Sequence, residues 1–208
     1  MIRFSFRLLL CLAALVMQGA PRAAAGARDS NAPQYTAAGG LVFPENYREW
    51  IYLTTGMDMD YNPDPAMAGH SMFDNVFVNP EAYKAFVATG TWPDKTMIVL
   101  EGRMAASKGS INKAGHFQTN DVMMRSVHLK DSRFPGTWAF FNYAEDKPSK
   151  QIPKTAECYS CHEQHGAVDT TFVQFYPTLL EIAKKKDTLA PVYKKEEAAT
   201  ASASSGKN

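Results

Sequence analysis

The chain has 208 residues and a formal net charge of +1. This length suits one domain that can bury a core. The near-zero net charge argues against nucleic acid or an anionic membrane surface as the main partner.

The first 25 residues have the layout of a secretory signal peptide. Arg3 and Arg7 precede an apolar run at residues 8–17, and small residues follow it. This run is shorter than the roughly 20 residues of a membrane-spanning helix, so a cleaved signal is favoured over an uncleaved anchor. Cleavage would remove three arginines, no acidic residue and Cys11, and the formal net charge would change from +1 to −2. The sequence therefore predicts a periplasmic protein with no membrane span after cleavage.

The rest of the chain divides into three parts by composition. Residues 26–40 are polar and rich in glycine and alanine, which predicts a leader. Residues 41–190 are predicted to form the folded domain. Residues 191–208 are predicted to be a disordered tail, because residues 196–208 contain no large apolar side chain.

The domain is predicted to begin with a helix and a loop. Residues 43–53 favour a helix, because Pro44 suits a first helical position and the aromatic residues after it share a face. Residues 55–69 contain several prolines and glycines near acidic residues, which predicts a loop.

A strand, a helix and further strands are predicted next. Residues 70–79 are rich in aromatic and β-branched side chains, which favours a strand. Residues 79–90 favour a helix that Asn79 caps and Gly90 ends. Further strands are predicted at 96–105, 116–119, 122–130 and 137–144.

Helices are predicted for the last part of the domain. Residues 168–176 place apolar side chains on one helical face. Thr178 and Glu181 form a capping box for a last helix at 178–186. This order predicts an α+β fold, in which helices flank an antiparallel β-sheet core.

The most informative motif is Cys158-Tyr-Ser-Cys161-His162. Two thiols one turn of chain apart can each add to a vinyl group of haem, and the imidazole that follows can bind the iron. The motif therefore predicts one covalent haem c with His162 as the iron ligand. Residues 41–190 would then be a haem-binding cytochrome domain, with the haem attached near the C-terminal helices.

Three other interpretations of the two cysteines are weaker. A disulfide would need no histidine. A thioredoxin-like dithiol would lie at a strand-to-helix junction of a βαβ unit, which this pattern lacks. A structural zinc site would need a second pair of ligands, and no other cysteine remains after signal cleavage.

A sixth iron ligand is not evident from the sequence. His165 would lie on the helix face of His162, so it is expected on the proximal side or at the surface. Met123 and Met124 would point to opposite faces of a strand, and a methionine ligand stays possible because Met/His ligation occurs in cytochromes. The other histidines are expected to be packed or exposed polar residues: His70, His116 and His128.

The chain resembles the cytochrome P-460 family, which includes cytochrome c′-beta. The resemblance covers about Leu41 to Lys186 and rests on four stretches: FPENYREW, VFVNPEAY followed by TGTWPD, GTWAFFNY, and CYSCHEQHGAVDTTFVQFYPTL. It implies a compact sheet-rich fold, usually a homodimer, with His162 as the proximal ligand and a gas-accessible distal side.

Two positions differ from the hydroxylamine-oxidising members of that family. Leu100 stands where those members carry a lysine cross-linked to the haem, and Asp74 stands where they carry an arginine. Leucine has no amine to cross-link. The resemblance therefore implies an ordinary c-type haem with Leu100 in an apolar distal wall, as in the gas-binding branch.

Two functions follow as hypotheses. The first is binding of small diatomic gases, NO or CO, together with or instead of electron transfer to a soluble redox partner. The alternative is an enzyme that oxidises hydroxylamine or a related small nitrogen compound, or a weak peroxidase, which would need an acid or base above the iron. Glu101, Asp74 and Arg103 are the charged candidates, although strand alternation points Glu101 away from Leu100.

Overall fold

The computed structural model describes residues 31–59, 71–144 and 147–205. A five-stranded antiparallel sheet forms the centre of this part of the chain, and its strands lie side by side in chain order. The strands are β1 (Ile51–Met57), β2 (Met72–Val78), β3 (Met97–Ala106), β4 (Phe117–Lys130) and β5 (Trp138–Tyr143). The helices of the described residues are α1 (Pro80–Thr89), α2 (Glu157–His165), α3 (Pro177–Lys186) and α4 (Pro191–Ser205). The α+β prediction is confirmed.

Each face of the sheet is covered by a different part of the chain. Helices α1 and α3 pack on one face, where Phe86 and Leu179 are fully buried beside Ile98 of β3. The segment before β1 covers the other face, where Leu41 and Tyr47 are buried. Strand β3 contributes side chains to both cores, because successive side chains of a strand point to opposite sides of the sheet. Even-numbered residues such as Leu100 therefore lie on the side of α3.

Helix α1 has the predicted ends. Pro80 occupies its first turn, and Gly90 ends it in the left-handed conformation with φ +80°. Asn79 precedes the helix but does not cap it with its side chain. Its Oδ1 instead accepts a hydrogen bond from the backbone N–H of Met97, at 2.8 Å, and so ties the start of the helix to β3.

The predicted helix at 43–53 is wrong. Only Tyr47–Glu49 form a helical turn, of the 3-10 type, and the chain then continues as β1. Tyr47 and Trp50 are spaced as on a helix, but both are buried in the core of the sheet face that this segment covers. The loop predicted at 55–69 begins later than expected because β1 extends to Met57; residues 60–69 lie outside the described part.

The C-terminal third also differs from the prediction. Residues 168–176 form a turn and a short 3-10 helix, Val173–Phe175, instead of a longer helix. Helix α3 starts at Pro177, so no capping box forms at Thr178. The strands predicted at 116–119 and 122–130 are one strand, β4.

Residues 191–205 form α4 where the sequence analysis expected a disordered tail. Alanine, glutamate and lysine favour helices even without a large apolar face, and Glu196 of α4 contacts His165 of α2. Within the described residues, no helix combines the length and the apolar composition that crossing a bilayer requires.

Candidate functional site

The Cys-Tyr-Ser-Cys-His motif lies on helix α2, Glu157–His165. Cys161 and His162 follow Cys158 by three and four residues, so all three side chains lie on one face of this helix. All three are half-buried, whereas the opposite face of the helix is exposed. Both cysteines are free thiols, and burial raises the pKa of each. Two free thiols at this spacing, followed by a histidine, are the arrangement in which haem is attached through thioether bonds.

One ring nitrogen of His162 is held by the backbone. Its Nδ1 lies 2.7 Å from the carbonyl oxygen of Thr170 and donates a hydrogen bond to it. Burial lowers the pKa of His162, which favours the neutral imidazole. The Nδ1–H tautomer leaves the lone pair on Nε2, the atom that binds a metal in such arrangements.

Gly166 lets the chain return to His162. It ends α2, and an ideal Cβ at this position would lie 2.7 Å from the carbonyl oxygen of His162 and 2.9 Å from the backbone nitrogen of Thr171. The backbone of residues 170–171 therefore approaches the helix end more closely than a side chain would allow. This approach brings the Thr170 carbonyl to the imidazole.

Aromatic rings surround His162. Phe172 stacks on it with ring centroids 4.1 Å apart, and the rings of Phe140 and His128 meet it edge-on at 4.7 and 4.9 Å. His128 is itself stacked on Phe140 at 4.0 Å. Burial, followed by the neighbouring His162, holds the pKa of His128 well below its usual range. Both histidines are therefore neutral in this apolar setting.

His162 and residues of the sheet together line a small cavity of about 170 Å³. Leu100 lines it beside its cross-strand neighbours Val76 and Ser126. Met59 also lines it. Its sulfur lies 2.6 Å from where a Cβ of Gly56 would be, so the missing side chain of Gly56 makes room for it. Met59 was missed because it falls in a stretch predicted only as loop.

The wall of this cavity is not wholly apolar. Asp74 lines it from β2, next to Val76 on the same face. Burial, with a smaller contribution from the charge of Asp58, raises the pKa of Asp74 to about 6. Its Oδ1 is buried without a hydrogen-bond partner among the residues that the structure describes. The sequence had indicated Asp74 as one of three charged candidates, but no sequence pattern indicated its unpartnered oxygen.

Glu101 lies on the opposite face of the sheet, as alternation predicted. Its side chain is fully buried and accepts hydrogen bonds from Tyr47, Arg48 and Arg103. Burial alone would raise its pKa, but the bonds from Arg103 and Tyr47 outweigh burial and lower it. Glu101 and Arg103 are therefore a structural ion pair rather than groups of the cavity.

The remaining candidates from the sequence do not line this cavity. His165 is exposed, and its Nδ1 lies 3.3 Å from Glu196 of α4. His116 is exposed, and Met123 and Met124 are exposed on β4. His70 lies outside the described residues.

A wider cleft of about 730 Å³ lies beside Cys161, between α2 and α4. Phe172 and Phe175 line both this cleft and the cavity at Leu100. The two spaces are thus neighbours on either side of these rings, next to the thiols and the imidazole. A flat apolar cofactor attached to α2 would find apolar walls in both.

Comparison with known proteins agrees with this site. No curated protein sequence matches the chain. The sequence model of the Cytochrome P460 family matches residues 44–173. The match covers all five strands and the whole of α2, and it includes Asp74, Leu100 and His162. A family of haem proteins accounts for the motif, and the match extends over more than half of the chain: the chain belongs to the cytochrome P460 family.

Proposed function

We propose that this protein is an exported c-type cytochrome with one haem, which binds small diatomic gases such as NO and CO and can pass electrons to a soluble partner. The observation that carries the proposal is the cavity between His162 and Leu100. The cleft of about 730 Å³ beside it provides further apolar wall for a cofactor, and His162 and Leu100 both line the cavity itself. Most of the side chains around it are apolar or small, which favours neutral ligands.

The residues present fit a covalent haem. Cys158 and Cys161 supply two free thiols on the helix face of His162, and the Thr170 carbonyl fixes the tautomer that leaves Nε2 free. These three side chains would hold the haem, with the thiols as attachment points and His162 as the iron ligand. When bound, haem supplies an iron centre that takes a gas molecule and exchanges single electrons.

The protein's own groups set the properties of that site. The bond from His162 Nδ1–H to Thr170 orients the imidazole and increases the basicity of the other nitrogen. The ring of Phe172, stacked at 4.1 Å, limits rotation of the imidazole and excludes water from it. Leu100 keeps one side of the cavity apolar and offers no amine for a cross-link.

Spectroscopy of the purified holoprotein tests this proposal. The ferrous protein should show an ordinary c-type spectrum with five-coordinate, high-spin iron, and it should bind one CO or one NO per haem. A six-coordinate, low-spin ferrous spectrum without added ligand would contradict an open site. The same measurement on Met59→Leu would then show whether the Met59 sulfur is the sixth ligand, and Met123→Leu is the matched exposed control.

Asp74 favours a second candidate function. Oxidation of hydroxylamine or a related small nitrogen compound, or a weak peroxidase reaction, requires a group that exchanges protons beside the substrate. Asp74 lines the cavity, and its Oδ1 has no hydrogen-bond partner among the described residues. Turnover of hydroxylamine by the holoprotein with an added electron acceptor tests this candidate. Turnover no faster than that of free haem would exclude it.

We further propose that the mature protein is periplasmic and a homodimer. Export rests on the charged, then apolar, then small-residue order of residues 1–25, and the dimer rests on the family resemblance. Mass spectrometry of the periplasmic fraction should find an N-terminus after residue 20 and no Cys11. Sedimentation equilibrium should give twice the mass of the mature chain.

A further inference from the structure

Asp74 is a carboxylic acid in an unusual position. It lies on β2 opposite Gly102 of β3. An ideal Cβ at Gly102 would lie 3.4 Å from Asp74 Oδ1, and closer still to the side chains of Met72 and Met124. The carboxyl group and these two methionine side chains therefore surround the space that a side chain of Gly102 would fill, in the wall of the cavity that His162 also lines. A buried polar oxygen without a partner is uncommon and asks for an explanation.

No cation among the described residues accounts for this carboxyl group. Asp58, at the end of β1, repels it, and the Asp58 carboxylate is itself bound by Ser71 and by the backbone of Met72. His128 and His162 also line this cavity, but neither donates a hydrogen bond to Asp74 Oδ1. The nearest arginine along β3, Arg103, binds Glu101 on the other face of the sheet.

The free oxygen of Asp74 adjoins a space for a small ligand. A neutral carboxyl group can donate one hydrogen bond, whereas a carboxylate can only accept. The state of Asp74 therefore decides which ligands are favoured in the cavity. An anion gains a hydrogen bond from the neutral form and is repelled by the ionised form, but an uncharged diatomic gas is affected little by either.

We propose that Asp74 is the proton-exchanging residue of the ligand cavity, which admits anionic ligands when it is neutral and disfavours them when it is ionised. The proposal rests on the proposed function, because it takes the cavity as the ligand side of a haem held by His162. Burial raises the pKa of Asp74 to about 6, so Asp74 changes between its neutral and ionised forms near this pH.

Binding of fluoride to the ferric holoprotein between pH 5 and pH 8 tests this proposal, with CO binding to the ferrous holoprotein as the neutral comparison. If fluoride binds only beside neutral Asp74, its affinity should fall by up to about tenfold per pH unit above the pKa. In Asp74→Asn the decrease of fluoride affinity with rising pH should be much smaller. Asp74→Glu should retain the pH dependence of fluoride binding. Asp121→Asn, which removes an exposed carboxylate, should behave as the unaltered protein.

The outcomes separate the two proposals. Equal fluoride profiles for the unaltered protein and Asp74→Asn would overturn the role of Asp74, because the pH dependence would then come from hydroxide at the iron. Normal CO binding in both proteins would still leave the gas-binding function standing. Absence of CO binding in both would overturn the proposed function itself.

A second measurement needs no variant. Infrared difference spectra of the holoprotein should show a protonated carboxyl band that disappears as the pH rises through about 6. The band should shift when fluoride binds, because the carboxyl group then donates a hydrogen bond. A carboxyl band unaffected by fluoride would contradict the proposal even if Asp74→Asn failed to fold.

Discussion

Replacement of Gly166 by alanine should disturb the support of His162 without touching the imidazole. The new Cβ would lie 2.7 Å from the His162 carbonyl oxygen, 2.9 Å from the Thr171 nitrogen and 3.0 Å from the Thr170 carbonyl carbon. All three are backbone atoms, which cannot rotate away as a side chain can. The end of α2 and the 170–171 segment must therefore move apart, and the hydrogen bond from His162 to Thr170 should lengthen.

The expected size of the effect follows from two opposing terms. Overpacking of this kind lowers the free energy of unfolding by about 1–3 kcal/mol. Alanine also lowers the conformational entropy of the unfolded chain relative to glycine, which raises the free energy of unfolding by about 0.4–1 kcal/mol. A net loss of about 1–2 kcal/mol should lower Tm by roughly 2–8 °C for a chain of this size. The weaker support of His162 should also lower the Fe–His stretching frequency in the ferrous protein.

Thermal unfolding and resonance Raman spectra of the holoprotein measure both effects. Gly40→Ala is the matched control: the same atom is added, but its nearest neighbours are the side chains of Pro148 and Thr36 at 3.3 Å. Its Tm should change little and its Fe–His frequency not at all. If Gly166→Ala matched this control in both measurements, the backbone contact would not be what positions His162.

Three further predictions concern the cofactor, the cavity and the core. Extraction of the unaltered protein with acid–acetone should leave the haem on the polypeptide, and haem found in the solvent would exclude covalent attachment. Cys161→Ala should form a less stable holoprotein with at most one thioether link. Leu100→Ala should speed CO binding by opening the cavity, measured by flash photolysis, whereas Leu129→Ala on the other face should lower stability and leave that rate unchanged. Glu101→Gln should destabilise the fold by roughly 1–3 kcal/mol in urea unfolding at pH 7, because Glu101 is fully buried and the neutral amide no longer offers the charge that Arg103 and Arg48 bind. Asp169→Asn, in a more exposed pair with Lys130, should cost less than about 1 kcal/mol. Since hydrogen bonds lower the pKa of Glu101 in the folded state, its contribution is present above the ordinary glutamate pKa and should be lost as the pH falls through the lower, folded value.

The sheet was predictable because its strands carry local signals. Alternation along β3 assigned Leu100 and Glu101 to opposite faces, and the structure confirms both positions. Helix α1 was predictable because Pro80 and Gly90 mark its ends. Such signals depend on neighbours in the chain and need no knowledge of distant contacts.

The errors arose where distant contacts decide the conformation. Tyr47 and Trp50 are spaced as on a helix, but the pairing of Ile51 with Val78 of β2 converts the residues after them into strand. The motif indicated His162 as the iron ligand. It did not indicate the hydrogen bond from His162 to the Thr170 carbonyl, because this bond forms only where the chain after Gly166 approaches the end of α2 closely. The unpartnered oxygen of Asp74 likewise follows from three-dimensional packing, because no sequence pattern records which hydrogen bonds are missing.

The consecutive order of the strands has a consequence for the folding of the chain. Each strand pairs only with its neighbours in sequence, and such local contacts favour rapid folding. Helix α2 follows β5, so during synthesis it emerges after the whole sheet. We therefore expect the sheet wall of the cavity to form before the thiols of α2 are in place, so that haem is attached to a partly folded chain. Pulsed hydrogen exchange during refolding should find the amides of β2 to β4 protected earlier than those of α2, and the reverse order would refute this sequence of events.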